Sequence, residues 1–267
     1  MKEYTGFAQV YDLFMDNVPY KEWADYIYEL LKENGIEKGI ICELGCGTGK
    51  MTRRLRDFGY DMIGIDISRD MLNIAAGKET KGVAGEILYL NQDMREFELY
   101  GTVAAIVSIC DSMNYITEKE DLLQVFGLVN NYLDPGGVFI FDMNTTYYYK
   151  NILGESTICE NRDEGSFIWE NYYDPETKIN EFDMTIYIRS NDSNGIDSEK
   201  DKTVSGSGKN SCVYKRFEET HYQRAYSIPE IRSLLKKAGL RDIKVYKALS
   251  KEAPDRLSER VYFVSKK

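Results

Sequence analysis

The sequence predicts an α/β fold: a doubly wound parallel sheet with a small antiparallel β-sheet inserted after the fifth strand. Three observations predict it. Between residues 36 and 145, short apolar runs that end in polar groups alternate with helical patterns. A glycine turn, residues 45–49, follows the first run and opens a helix. Between residues 155 and 225 the apolar period becomes two, which marks half-buried antiparallel strands.

Phe7, Val10, Tyr11 and Phe14 recur at helical spacing, as do Trp23, Ile27, Leu30 and Leu31 after Pro19. Two helices therefore precede the sheet. The first strand, Ile40-Ile41-Cys42, ends in Glu43-Leu44, and Gly45, Gly47 and Gly49 then alternate before a helix from about Lys50. Glycines let the backbone approach a ligand and take positive φ. The N–H groups of a helix start point into the same space. G-x-G-x-G after an acid differs from the G-x-G-x-x-G of dinucleotide binders. A diphosphate favours bare N–H groups at a helix start, and Glu43 would repel it. That acid suits a ligand carrying an amine.

The second run, residues 60–66, ends in Asp66, placed to accept hydrogen bonds from both hydroxyls of a ribose. Ile67 follows, and Ser68 is the expected N-cap of a helix through Met71, Leu72 and Ile74. The third run, residues 87–90, leads into Asp93 and Met94, where an acid suits the exocyclic amine of adenine. The fourth, residues 103–109, ends in Cys110, Asp111, Ser112, Met113, Asn114 and Tyr115. The fifth, residues 138–141, follows the turn Asp134-Pro135-Gly136-Gly137 and ends in Asp142. Ligands of open parallel sheets bind beyond the carboxyl ends of the strands.

Residues 1–150 and 226–267 are expected to form the core, and residues 151–225 the insertion. In the insertion, Phe182, Met184, Ile186 and Ile188 alternate with Asp183, Thr185, Tyr187 and Arg189. Residues 167–173 and 213–222 are similar strands, and Asp174-Pro175-Glu176-Thr177 is a hairpin turn. Residues 190–211 are rich in Ser, Gly, Asn, Asp and Lys and are expected to form a mobile loop. A last helix carries Ile231, Leu234 and Leu235 and ends at Gly239; strands at 243–246 and 260–264 close the chain.

The segment Glu43-Leu44-Gly45-Cys46-Gly47-Thr48-Gly49 resembles motif I of the class I S-adenosylmethionine-dependent methyltransferases. Nearly the whole chain outside 190–211 resembles bacterial methyltransferases of unassigned substrate. The shared stretches are residues 10–15, the glycine loop, residues 111–115 and residues 221–227. The resemblance implies a Rossmann-like, seven-stranded doubly wound sheet whose last strand is antiparallel. It implies S-adenosyl-L-methionine as cofactor and a lid over the methyl group, as in glycine N-methyltransferase-like architectures. The cofactor candidates are Tyr11, Glu43, Gly45, Cys46, Gly47, Asp66, Ile67, Met71, Asp93, Met94, Cys110, Asp111 and Tyr115.

Methyl transfer is an in-line displacement whose leaving group is a neutral thioether. Alignment and exclusion of water therefore dominate catalysis. A base is needed only where the acceptor must lose a proton. His221, the one histidine of the chain, is the catalytic base candidate, and Arg224 is a candidate clamp for an acceptor carboxylate or phosphate. The lid is expected to cover a small-molecule acceptor.

The net charge of −10 and pI of about 4.9 argue against broad nucleic-acid or anionic-membrane binding. The five cysteines form no C-x-x-C pair, so no metal site is expected. Cys42, Cys46 and Cys110 read as buried thiols of a reducing, cytoplasmic protein. The sequence carries no signal peptide or spanning segment and sets no oligomeric state. Two other functions stay open: a non-catalytic S-adenosylmethionine-binding regulator, and a nicotinamide-dependent oxidoreductase, which Glu43 and the glycine spacing disfavour.

Overall fold

The computed structural model describes residues 8–78, 85–190 and 213–267. All of the expected loop 190–211 except Ser190 lies outside these residues, as does Phe7. The described elements are α1 (Ala8–Phe14), α2 (Tyr20–Glu33), β1 (Ile40–Leu44), α3 (Lys50–Asp57), β2 (Asp61–Asp66), α4 (Arg69–Gly77), β3 (Ile87–Asn91) and β4 (Val103–Ser108). They continue with α5 (Lys119–Tyr132), β5 (Leu133–Asn144), β6 (Thr157–Asn161), β7 (Gly165–Asp174), β8 (Ile179–Arg189), β9 (Tyr214–Arg224), α6 (Ile228–Lys237), β10 (Arg241–Lys247) and β11 (Arg260–Lys266). A single 3-10 turn, Ser112–Tyr115, follows β4, and a wide helical turn, Tyr148–Leu153, follows β5.

Seven strands form one sheet in the order β10-β11-β5-β4-β1-β2-β3, and four form another in the order β6-β7-β8-β9. In the large sheet, β11 runs antiparallel to both β5 and β10, while β1 pairs in parallel with β2 and β4. This is the expected Rossmann-like architecture. The strand order reverses at β1, where an open α/β sheet places its ligand crevice.

The central strands read as continuous apolar runs because both faces are covered. Successive side chains point to opposite faces. Val138 and Ile140 of β5 pack with Ile27, Leu30 and Leu31 of α2 and Leu55 of α3. Phe139 and Phe141 pack on the other face with Val125 and Phe126 of α5 and Ile231 and Leu235 of α6. Phe141 stacks on Phe263 of β11 at 4.9 Å, which holds the antiparallel strand against the parallel ones. Each such aromatic contributes about 1.5–3 kcal/mol by burial.

Helix starts follow local chemistry. Ser68 accepts from the Met71 N–H at 3.3 Å as the N-cap of α4. Ser227 and Glu230 form a reciprocal capping box at the start of α6.

The small sheet takes in the three expected strands and a fourth, β6, which the alternation does not reveal because the strand is short and mostly exposed. At the β7–β8 hairpin the Asp174 carboxylate accepts from Glu176 N at 2.9 Å and Thr177 Oγ1 at 2.6 Å. Inside the sheet, Asn171 and Asn180 exchange amide hydrogen bonds at 3.0 and 2.8 Å. The pair leaves the buried face free of unsatisfied amides. No helix among the described residues is long and apolar enough to cross a membrane.

Candidate functional site

One cavity of about 770 Å³ opens at the carboxyl ends of β1, β2 and β4 and continues beneath the small sheet. Every cofactor candidate lines it: Tyr11, Glu43, Gly45, Cys46, Gly47, Asp66, Ile67, Met71, Asp93, Met94, Cys110, Asp111 and Tyr115. His221 lines it as well, and Arg224 does not.

The glycine turn is stitched between two strand tips. Gly45 N and Cys46 N both donate to Ile65 O, at 2.8 and 3.0 Å, and Gly47 N donates to Asp66 Oδ2 at 2.7 Å. Gly45 has φ 73°, and a Cβ there would lie 2.6 Å from Ser112 Oγ. Gly47 has φ 52°, and a Cβ there would meet nothing within 4 Å. A side chain on Gly47 would fill the space that a bound molecule needs. The residues present therefore fit a nucleoside ligand: a backbone cradle, an acid beside it and an open position between.

Asp66 does more than the sequence suggests. Besides Gly47 N, its Oδ1 accepts from Ser68 N at 2.8 Å. The carboxylate is thereby fixed in place at the tip of β2.

Glu43 is buried, and Oε2 accepts from the Thr52 hydroxyl. Burial pushes its carboxyl up to about 8, with Asp66 adding to the rise while Thr52 and Arg53 oppose it. Asp93 is held by Arg95, whose Nε lies 3.0 Å from both carboxylate oxygens. Burial would raise Asp93, and the Arg95 hydrogen bonds outweigh it and lower it. Burial also pushes the Cys110 thiol up to about 12 and the Cys46 thiol well above its ordinary value, so neither is a thiolate nucleophile.

After β4 the backbone turns through two left-handed residues, Cys110 at φ 66° and Asp111 at φ 52°. This conformation costs about 1–3 kcal/mol per residue and is offset by the contacts it makes. Asp111 N donates to Asp142 Oδ1 at 2.9 Å, and Asp111 Oδ1 pairs with Arg260 Nη2 at 2.7 Å. Arg260 also pairs with Asp142 and lies 5.1 Å above the Trp23 ring. Burial pushes the Asp142 carboxyl up, and Arg260 opposes the shift. Gln223 of β9 donates to Asp111 Oδ2 at 2.7 Å and accepts from Tyr149 at 3.0 Å. This network ties the small sheet to the tips of β4, β5 and β11.

Sequence reasoning missed Arg260, Gln223, Trp23 and Tyr148, all of which line the cavity. Period two from His221 reaches Gln223 on the same face of β9. Arg260 is the one cation of an apolar strand end.

The wall beneath the small sheet is aromatic. Phe167, Trp169, Phe182 and Met184 face the cavity together with Phe14 of α1. His221 is 1% exposed, stacks on Phe182 at 4.9 Å and meets Tyr115 edge-on at 5.9 Å. Arg224 does not form the expected clamp. Its Nη1 donates to Thr117 O at 2.9 Å, and its guanidinium lies 5.3 Å over Tyr226. The last residue of β9 thus fastens the strand to the loop after the 3-10 turn. Among the described residues, no cluster of His, Cys, Asp and Glu could hold a metal ion.

Comparison with known proteins gives the same assignment as the cavity. Residues 41–137 match the family described as "Methyltransferase domain". YqeM of Bacillus subtilis (strain 168), which carries a provisional methyltransferase name, is 32% identical over 99% of this chain and 97% of its own. A crystal structure of an S-adenosylmethionine-dependent methyltransferase from Clostridium acetobutylicum ATCC 824 superposes with a TM-score of 0.79. It is 29% identical and covers 98% of both chains. A dTDP-3-amino-3,4,6-trideoxy-alpha-D-glucopyranose N,N-dimethyltransferase of Streptomyces venezuelae is 31% identical over 51% of this chain and 56% of its own.

Proposed function

Because this chain belongs to the class I S-adenosylmethionine-dependent methyltransferases, we propose that it methylates a small molecule held beneath the β6–β9 sheet. The observation that carries this reading is one continuous cavity among the described residues. It runs from the glycine turn and Asp66 to the inner face of the small sheet. A volume of about 770 Å³ lies in the upper range of small-molecule sites and leaves room for a donor and an acceptor.

S-Adenosylmethionine supplies a methyl carbon on a positively charged sulfur and departs as a neutral thioether. The chain's part is to hold, orient and exclude water. Asp66 is placed to accept from the ribose diol, the backbone of Gly45–Gly47 to cradle the amino-acid portion, and Ile67, Asp93 and Met94 to flank the base. Tyr11 and Tyr115 offer ring faces to the sulfonium. The small sheet acts as the lid, with Phe167, Trp169, Phe182 and Met184 excluding water and His221 placed to take a proton from the acceptor. Arg224 supports the lid.

A small acceptor accords with the amino-sugar nucleotide in the name of the Streptomyces venezuelae relative. Incubation with methyl-labelled S-adenosylmethionine and a bacterial extract, fractionated into small molecules, RNA and protein, tests the reading. Label is expected in the small-molecule fraction. Label confined to RNA or protein would overturn the small acceptor, and binding without any transfer would support the regulator instead.

A further inference from the structure

Resting on this methyl-transfer reading, we infer that the acceptor is a small amine that carries no phosphate. The observation behind this class is that each arginine at the cavity is shared between two carboxyl groups.

Among the described residues, six carboxyl groups line the cavity against three cations, Lys50, Arg95 and Arg260. Acids already engage all three. Arg95 pairs with Asp93 at 3.0 Å and with Asp121 at 3.4 Å. Arg260 pairs with Asp111 at 2.7 Å and with Asp142. Lys50 pairs with Asp12 at 3.2 Å. Glu160 of β6 also lines the cavity, and its partner Arg162 is shared with Asp16 at 2.8 Å.

A phosphate on the acceptor would have to take a guanidinium from its carboxylates, which would then stand uncompensated in a largely enclosed space. The glycine turn offers no substitute, because Gly47 N already donates to Asp66 at 2.7 Å. An amine meets the opposite conditions. The acids attract it, and the rings around the cavity already take cations on their faces: Lys50 lies 5.0 Å over Tyr20, and Arg260 5.1 Å over Trp23. Beneath the small sheet, Phe167, Trp169 and Phe182 extend that wall.

An amine also keeps the charge constant. Its lone pair forms the bond to the methyl carbon, and the carbon–sulfur pair stays on sulfur, which leaves neutral. The positive charge passes from sulfur to nitrogen and remains among the same acids and rings. The surplus proton on nitrogen goes to water once the product has left.

The test incubates the full chain with a bacterial extract and S-adenosylmethionine bearing a trideuteromethyl group. Small molecules that gain the group are identified by mass spectrometry. The expected product is a phosphorus-free compound with the group on nitrogen. A labelled nucleotide or phosphate ester, or label on oxygen or carbon, would overturn the inference while leaving methyl transfer intact. No labelled product at all would overturn the methyl-transfer reading itself. Calorimetric titration of thymidine diphosphate into the S-adenosylhomocysteine-loaded chain gives an answer independent of turnover. No binding is expected, and micromolar binding would overturn the inference.

Discussion

Glu43 leaves a mark on stability that can be measured without any ligand. Burial pushes its carboxyl from the ordinary 4.5 up to about 8. Between those values the folded chain keeps a proton that the unfolded chain has released. The contribution of Glu43 to stability is therefore fully present below 4.5 and is lost as pH rises through about 8. Glu43→Gln should flatten this decline in chemical denaturation curves of the ligand-free chain, while the amide keeps a partner in Thr52. Equal pH slopes for both chains would contradict the burial argument. The acids themselves were legible in the sequence, because each ends an apolar run. Their partners were not: Arg95, Arg260 and Gln223 reach their acids from side chains whose register is set only by folding. Arg224 shows the same limit. Its charge suggested a clamp, but its direction depends on where Thr117 O and Tyr226 lie.

At the scale of elements, β9 is the hinge of the arrangement. It carries Glu219, His221 and Gln223 on one face, and it closes the small sheet against β8 over eleven paired residues. Gln223 donates to Asp111 and accepts from Tyr149, both across the gap between the two sheets. Gln223→Ala removes a donor from a half-buried carboxylate oxygen of Asp111 and an acceptor from the buried Tyr149 phenol. The expected loss is about 1–3 kcal/mol, read as a lower denaturant midpoint, with faster amide exchange along β9. An unchanged midpoint would mean that the Gln223 bridge does not hold the two sheets together. Strands β7, β8 and β9 were readable from their alternation, since one face is buried and the other wet. Strand β6 was hidden: five residues, mostly exposed, carry too little pattern.

For the whole molecule, the alternation of strands and helices was enough to foresee a doubly wound sheet with an insertion. Short right-handed crossovers leave few other topologies. The continuity of the cavity from the glycine turn to the small sheet was not foreseeable. It depends on α1 reaching the glycine turn, where Thr48 donates to Asp12 at 2.8 Å, and on Arg162 of the small sheet holding Asp16 at 2.8 Å. The resulting division of labour, donor on the parallel sheet and acceptor beneath the lid, is the central claim. Calorimetric titration of S-adenosylhomocysteine into wild type, Asp66→Ala and His221→Ala tests it most directly. Asp66→Ala should lose about 1.5–3 kcal/mol, on the order of ten- to a hundred-fold in affinity, while His221→Ala binds as wild type. Equal weakening in both variants, or an unaffected Asp66→Ala, would contradict it.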